Sequence, residues 1–301
     1  MALPFQPGDF VTRKSYGHDI VFVIREIFPG QRIAVLKGVD VRLLADAPLD
    51  DLEKVSPDML AERQQQMQIL TEESLRLIRQ DRQWLWETSD TLAPEKMDQT
   101  EKKSYFELPS KVLHLDGDPD YLRKCVELYR KLSVPVIGLH IREAAMAESV
   151  GSLLRKYQPN ILVLTGHDGF IKRRNSSDTL ANYRHTGHYV EAIKAARRVE
   201  NDLDALVIFA GGCQSHFEAL LAAGANFASS PRRVMIHTFD PVFVAQMIAY
   251  TPINQTVDVL EVAKRTITGI EGIGGIETRG GYRRGMPGTL KKLSWEPSES
   301  H

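Results

Sequence analysis

Residues 161–169 read ILVLTGHDG and residues 205–213 read ALVIFAGGC, two apolar runs that each end in glycine and a chemically reactive side chain. A helical pattern near residues 188–199 separates them. Strands that are apolar on both faces and alternate with helices form a parallel sheet covered by helices on both sides. The two runs therefore predict an α/β fold, with a mostly parallel sheet at its centre.

The same alternation of strands and helices extends outward from these two runs. Asp118 and Pro119 follow the apolar run 111–115, and this pair predicts a helix start because Asp accepts free amide hydrogens and Pro fits the first helical position. A further helix over residues 143–157 should stop before Pro159. The other expected elements are strands at 134–139, 226–229 and 234–237 and a helix at 240–249.

The first part of the chain has a different pattern. Three short β-branched runs, separated by turn-forming Pro-Gly and Lys-Gly pairs, predict a small SH3-like barrel over residues 1–56. These runs are 20–24, 33–36 and 41–44. The composition then shifts to Gln, Glu, Arg and Leu, which predicts a long helix. We therefore divide the chain into a barrel (1–56), a linker helix with a polar linker (57–104) and an α/β domain (105–301).

Length and composition exclude several classes of protein. The 301 residues carry 38 Lys and Arg against 39 Asp and Glu, so the strongly basic surface of a dedicated nucleic-acid binder is not expected. No apolar stretch approaches the length of a membrane span, and the N-terminus lacks the pattern of a secretory signal, which predicts a cytoplasmic protein. Two cysteines are too few for a disulfide framework or a Cys-based zinc site, and we expect no cofactor or metal.

His167 and Cys213 are the residues that point to chemistry. Each follows an apolar strand, and ligands of parallel sheets bind beyond the carboxyl ends of the strands. If the two strands are neighbours, a thiol nucleophile and an imidazole base meet at one edge, as in a thiol hydrolase. Backbone amides of Asp168, Gly169 and Cys213 are candidate oxyanion donors. A lone cysteine, such as Cys125, is more often a small buried hydrophobe, but the separation of 46 residues is close to the about 50 of caspase-like proteases.

The residues around Cys213 support this interpretation. Gly211 and Gly212 would allow a sharp turn and a close approach of substrate backbone. Ser215 and Glu218 have the spacing of a capping box at the start of the next helix. Cys213 would then lie beside a helix N-terminus, where the thiolate is favoured over the thiol.

Six longer segments extend the pattern over nearly the whole chain. They are GDFVTRKSYGHDIVF, KVLHLDGDPDYLRKC, VLTGHDGF, YRHTGHYVEA, LVIFAGGCQSHFEALLAAGANFASSPRRV and GGIETRG. In these segments the chain resembles the YabG family of sporulation-specific cysteine proteases. The resemblance implies an intracellular endopeptidase of sporulating cells that processes spore-coat and related spore proteins, commonly after Arg. It also implies that His167 and Cys213 are the active-site pair.

A wider resemblance is to caspase-like and clostripain-like proteases, in which Gly follows the catalytic His. Here Asp168 stands in that place and Gly169 comes one position later. In Arg-specific relatives an acid beyond the first strand binds the substrate guanidinium, and a carboxylate pairs bidentately with Arg. Asp116 is the first candidate for this pocket, Asp118 the second because it also suits a helix cap, and Asp168 the third.

Several other residues allow competing interpretations. His185 and His188 could bind a metal with Asp178, although exposed histidines at this spacing are more often unliganded. His216 is a rival base that we rank below His167, because it should point along the next helix. The basic run 172–174 is either solvated surface or a site of self-cleavage.

Two other functions remain open at this point, besides a weaker nucleic-acid role for the barrel that only Arg13, Lys14, Arg25 and Arg32 support. One is a thiol amidase or acyltransferase that uses the same Cys213 and His167 on a small molecule. The other is a non-enzymatic scaffold, in which the barrel recruits partners. We expect protein substrates, no nucleic acid and no membrane as partners, and the oligomeric state stays open.

Overall fold

The computed structural model describes residues 4–91, 106–171 and 179–285, without the side chains of residues 84–91. It confirms the predicted fold class, a mostly parallel sheet with helices on both faces, preceded by a separate antiparallel sheet and a long helix. The basic run 172–174 lies outside the described residues. Among the described helices, none combines the length and the apolar character that a membrane span needs.

Five antiparallel strands in the order β4-β3-β2-β1-β5 form the N-terminal sheet. Their bounds are β1 Phe10–Arg13, β2 Phe22–Phe28, β3 Ile33–Gly38, β4 Leu44–Pro48 and β5 Leu52–Lys54. Val11, Ile24 and Leu36 are among the side chains of its own buried core. The expected strand over 41–44 is wrong, because β4 begins only at Leu44 and residues 39–43, the β3–β4 loop, turn toward the larger domain.

Helix α1 (Pro57–Thr91) follows this sheet, as the composition predicts. It packs against the larger domain through Leu75 and Ile78, which join the apolar cluster of that domain. Arg265 of the larger domain forms an ion pair with Asp81 on the same helix, at 2.5 Å between Nε and Oδ2. The long helix is therefore held along part of its length by both apolar and ionic contacts.

The central sheet has the order β13-β11-β10-β9-β7-β8, and only β13 runs antiparallel to its neighbour. The strands are β7 Val112–Asp116, β8 Val136–His140, β9 Ile161–Thr165, β10 Val207–Ala210, β11 Phe227–Ser229 and β13 Ile273–Gly275. The helices are α2 Pro119–Lys131, α3 Glu143–Tyr157, α4 Thr186–Arg197, α5 Phe217–Ala222, α6 Asp240–Tyr250 and α7 Val259–Arg265. The expected strand at 234–237 is wrong, since the structure has only an isolated bridge there.

Alternating side chains along each strand separate two apolar layers. Ile161 and Val163 of β9 pack with α2, α6 and α7, whereas Leu162 and Leu164 pack with α3, α4 and α5. This arrangement is the physical reason for the unbroken apolar runs in the sequence, because both faces of a strand are covered.

Two short pairs of strands complete the fold. Strand β12 (Thr256–Val257) pairs with β14 (Thr278–Arg279), and β6 (Phe106–Leu108) pairs with β15 (Arg283–Gly285). The end of the described chain thus returns to the start of the α/β domain.

The buried position of Ile78 gives a test of how much α1 contributes to stability. Ile78 is 1% exposed and Ile69 on the same helix is 49% exposed. We expect Ile78→Ala to lower the free energy of unfolding by about 2–5 kcal/mol through lost apolar contact and a cavity. Ile69→Ala should change it by about 0.5 kcal/mol or less. Urea denaturation followed by circular dichroism measures both, and equal losses would show that α1 is not docked through this face.

Candidate active site

The prediction that the two strands before His167 and Cys213 are neighbours is confirmed. Strands β9 and β10 pair in parallel with Leu164 opposite Ala210, so the loops that follow them leave the same edge of the sheet. The loops also touch, because a Cβ added to Gly212 would lie 2.9 Å from the carbonyl oxygen of Gly166 and 3.4 Å from the carbonyl carbon of His167. The close approach at Gly212 is therefore made by the chain's own backbone, and the predicted sharp turn falls at Gly211, whose φ is +115°.

The imidazole of His167 is held by Asp118. The Nε2 atom of His167 lies 2.9 Å from Oδ2 of Asp118. Burial alone would raise the pKa of the Asp118 carboxyl, but hydrogen bonds from His167 and Lys37 and the charge of Lys37 together hold this pKa well below its usual range. An ionised carboxylate only accepts hydrogen bonds, so in the neutral imidazole Nε2 carries the proton and Nδ1 keeps its lone pair. That Nδ1 atom is buried and has no hydrogen-bond partner among the described residues.

Asp118 is consequently not available to a substrate guanidinium. Its Oδ1 caps helix α2 by accepting from the amides of Asp120 and Tyr121, as predicted, and it also accepts from Nζ of Lys37 at 2.6 Å. The expectation that Asp118 belongs to an Arg pocket does not fit this geometry, because His167 and Lys37 already occupy both oxygens.

Asp116 does hold a guanidinium, but one from the same chain. Its Oδ2 lies 2.6 Å from Nη1 of Arg42 and accepts from the hydroxyl of Thr165 at 2.9 Å. Both Asp116 and Arg42 have fully buried side chains. Burial is the largest single effect and raises the pKa of Asp116, but the charge of Arg42 and hydrogen bonds from His114 and the amide of Asp118 together hold this pKa well below its usual range. The predicted Arg-binding carboxylate is thus filled by Arg42 in this structure.

Cys213 has surroundings that differ from those expected. Its residue is fully buried, and its Sγ accepts from the amide of Ile236 at 3.4 Å. Burial raises the pKa of the thiol to about 12, although the amides of Ile236 and Arg42 favour the thiolate. The prediction of a thiolate at a helix N-terminus is therefore wrong for this conformation. Helix α5 starts only at Phe217, and its cap is His216 rather than Ser215.

Asp168 joins the two reactive loops. One of its oxygens accepts from the hydroxyls of Ser215 and Thr186, at 2.7 and 2.5 Å, and the other accepts from the amides of Gly169 and His185. This carboxylate takes up the Ser215 hydroxyl, which explains why Ser215 does not cap α5. Asp168 is therefore neither a guanidinium ligand nor the partner of the His167 ring in this structure.

The same contacts show which of the candidate oxyanion donors have a backbone amide that is already hydrogen-bonded. The amide of Gly169 is occupied by the side chain of Asp168, which argues against the predicted role of Gly169. Within the described parts of the chain, the amides of Asp168 and Cys213 donate no hydrogen bond. These two amides remain the predicted donors.

Three residues that the sequence did not single out complete the site. A carboxylate oxygen of Glu143, at the start of α3, accepts from the amide of His167 at 2.8 Å and so fixes the loop that carries the imidazole. Lys37 and Arg42 reach in from the N-terminal sheet. The sequence held one signal for Arg42, which is the only charged residue between Val41 and Ala45 and therefore stands out in an apolar run. Its partner could not be inferred because Asp116 is distant in sequence.

The other histidines have structural surroundings. The Nδ1 atom of His216 accepts from the amide of Ala219 as the cap of α5, so it is occupied there. The rings of His185 and His188 lie with their centroids 5.6 Å apart and their planes tilted by 37°. Their predicted partner Asp178 lies outside the described residues. In the ranges that the structure describes, no three His, Cys, Asp or Glu side chains are grouped as metal ligands.

Comparison with known proteins gives consistent results. The profile of the family described as YabG peptidase U57 matches residues 6–287. The chain is 48% identical over 288 residues to the sporulation-specific protease YabG of Bacillus subtilis (strain 168), which covers 95% of this chain and 99% of that protein.

The packing of Gly212 on the His167 loop predicts a sharp difference between two glycines. An alanine at position 212 would press on the backbone of residues 166–168, whereas a Cβ at Gly169 meets nothing within 4 Å. We expect Gly212→Ala to cost about 1–3 kcal/mol of the free energy of unfolding and to lower peptidase activity. Gly169→Ala should stay within about 0.5 kcal/mol of the wild type. Urea titrations of the two variants make the comparison, and a neutral Gly212→Ala would mean that the loops do not touch.

Proposed function

The chain belongs to the YabG peptidase U57 family, and from this premise we propose that it is a cysteine endopeptidase with Cys213 as nucleophile and His167 as base. The observation that carries the proposal is the ring of His167. Asp118 fixes its Nε2 side, its Nδ1 atom has no hydrogen-bond partner in the described parts of the chain, and the loop that carries it packs against the Cys213 loop. A base oriented by a carboxylate beside a nucleophile is the arrangement of acyl-transfer enzymes.

In the first half of the reaction, Nδ1 of His167 takes the proton of the Cys213 thiol. The sulfur then forms a bond to the carbonyl carbon of the scissile peptide, and the negative charge moves to the carbonyl oxygen. The amides of Asp168 and Cys213 donate to no group among the described residues, which supports the proposal that this oxyanion is bound by backbone donors, each worth about 3–4 kcal/mol in comparable sites. His167 returns the proton to the departing amine, and a thioester remains on Cys213.

Water completes the cycle. His167 removes a proton from the water molecule as its oxygen attacks the thioester carbonyl. The carbon–sulfur bond breaks, the thiol regains its proton, and the carboxylic acid product leaves. Asp118 stays ionised throughout and stabilises the imidazolium form of His167.

Substrate preference for Arg is part of the same proposal. Asp116 lies at the end of β7 and already accommodates a guanidinium in a fully buried setting. Because a guanidinium is more weakly hydrated than an ammonium and better suited to a buried ion pair, cleavage after Arg should be preferred over cleavage after Lys. The name of the Bacillus subtilis relative supports a role in sporulation. Within that role we propose spore-coat and related spore proteins as substrates, in the cytoplasm of the sporulating cell.

Removal of the nucleophile or the base should abolish hydrolysis. We expect Cys213→Ala and His167→Ala each to lower turnover of an Arg-containing fluorogenic peptide at least about a thousandfold. Cys125→Ser is the matched thiol control and should retain kcat, with any change confined to KM because Cys125 lies beside the guanidinium site. Undiminished turnover in Cys213→Ala or His167→Ala would refute the assignment of that residue.

Loss of the Asp118 charge should act on the rate and not on substrate binding. Asp118→Asn no longer selects the tautomer with Nε2 protonated, so kcat should fall about a hundredfold or more with little change in KM. Asp120→Asn is the control, because Asp120 also binds Lys37, at 2.8 Å, but does not contact His167. Equal losses of kcat in the two variants would show that the effect comes from Lys37 and not from the imidazole.

A further inference from the structure

The β3–β4 loop lies along the candidate active site as a short strand would. Val41 forms an antiparallel bridge with His237. On either side of this bridge, the amide of Thr238 donates to the carbonyl of Asp40 at 2.9 Å and the amide of Arg42 donates to the carbonyl of Ile236 at 3.4 Å. The residue that pairs with Arg42 is thus the one whose own amide binds the sulfur of Cys213. Extended peptides bind to proteins through the same kind of backbone pairing.

The side chain of Arg42 is fully buried, and both terminal nitrogens of its guanidinium have partners. Nη1 lies 2.6 Å from Asp116, and Nη2 lies 3.2 Å both from the sulfur of Cys125 and from the carbonyl oxygen of Thr238. The guanidinium also lies 5.4 Å from the ring centroid of Tyr121. This one side chain therefore joins the N-terminal sheet to the carboxyl end of β7.

Further contacts hold the loop against the residues of the mechanism. The hydroxyl of Tyr121 lies 2.7 Å from the carbonyl oxygen of Gly38 and 2.9 Å from that of Val41. The ring of Tyr121 also packs against His167, with centroids 5.6 Å apart. Beside it, Lys37 pairs with Asp118, the carboxylate that orients His167. The loop and the end of β3 thus contact Tyr121 and Asp118, the two residues that touch the ring of His167.

We propose that the β3–β4 loop is a built-in substrate mimic, with Arg42 in the place of the substrate residue whose carbonyl is attacked. In this arrangement Asp116 forms the guanidinium pocket and residues 236–238 form the edge that pairs with substrate backbone. The proposal rests on the proposed function and adds that the folded enzyme is inhibited by its own N-terminal sheet. A substrate must displace the loop, so only the open fraction of molecules is competent to bind.

The loop is an inhibitor and not a cleavage site because both sides of the Arg42–Leu43 bond are held. The amide of Leu43 donates to the carbonyl of Val41, and the amide of Gly38 donates to the carbonyl of Leu43, each at 2.8 Å. Leu44 then enters β4, which is paired with β3. A leaving amine that stays in place re-forms the peptide bond faster than water can intervene, since it reacts intramolecularly.

Space for a true substrate continues beyond the loop. A cavity of about 290 Å³ lies between the N-terminal sheet and the reactive loops. Leu43, Gly169 and Gln214 are among its lining residues. Leu43 directly follows Arg42, and Gln214 directly follows Cys213. The cavity therefore lies where the leaving segment of a polypeptide substrate would extend.

Two variants release the loop in different ways. Arg42→Gln removes the guanidinium from Asp116. Gly38→Ala leaves Arg42 in place but adds a Cβ that would overlap the carbonyl oxygen of Val41. Gly30→Ala is the matched control, because Gly30 lies in another turn of the same sheet and an added Cβ meets nothing within 4 Å. Melting curves identify which variants are folded.

The probe is a peptidyl-arginine chloromethyl ketone, and its second-order rate of alkylation at Cys213 is measured by mass spectrometry on the full-length protein. We expect about a tenfold or greater increase for folded Arg42→Gln and Gly38→Ala, and the wild-type rate for Gly30→Ala. The wild type gives an independent readout, because a covalently bound probe must displace the loop and raise amide hydrogen exchange in residues 39–43.

The outcomes separate the two proposals. Wild-type labelling rates in the folded variants, or unchanged exchange in the labelled wild type, would overturn the substrate mimic and leave the peptidase assignment standing. A new N-terminus at Leu43 in purified wild-type protein would overturn its role as an uncut inhibitor. If no form of the protein labels at Cys213 or hydrolyses the Arg peptide, the cysteine mechanism itself fails.

Discussion

The buried ion pair between Arg42 and Asp116 couples the two parts of the molecule. The carboxylate of Asp116 is buried away from water at the end of β7 and therefore needs a partner of opposite charge. The buried guanidinium of Arg42 has the same need. Each side chain is fully buried only because the other is present. The pair thereby fixes the β3–β4 loop against residues 236–238 and sets the surroundings of Cys213. Together with the ion pair between Lys37 and Asp118, this contact holds the N-terminal sheet over the candidate site.

The elements that follow from local pattern were predictable. Helix α3 has the expected bounds, Asp118 caps α2, and β9 and β10 are neighbours. Contacts between distant residues were not, because nothing within a short window marks them. Arg42 and Asp116 are 74 residues apart, Lys37 and Asp118 are 81 apart, and Glu143 reaches the amide of His167 over 24 residues. The candidate dyad could thus be named from sequence, whereas the groups that orient and cover it could not.

The errors near Cys213 have a common physical cause. The spacing from Ser215 to Glu218 suits a capping box, but a buried carboxylate competes for the same hydroxyl. Asp168 needs donors because it is removed from water, and Ser215 and Thr186 provide them. Helix α5 consequently begins later, capped by His216, and the thiol lies in a covered position instead of at a positive helix end. Tertiary demand for hydrogen bonds outweighs a local motif of modest strength.

Strand β13 adds a consequence for the order of events during synthesis. Residues 273–275 pair with β11, and at the end of β11 Ser229 donates to the carbonyl of Gly212 at 2.7 Å. Domains generally fold as units, with earlier parts of a chain available first on the ribosome. The β3–β4 loop is translated some 230 residues before β13. The inhibitory loop is therefore synthesised before the sheet that supports Cys213 is complete, so a newly made molecule can be inhibited from the moment its active site forms.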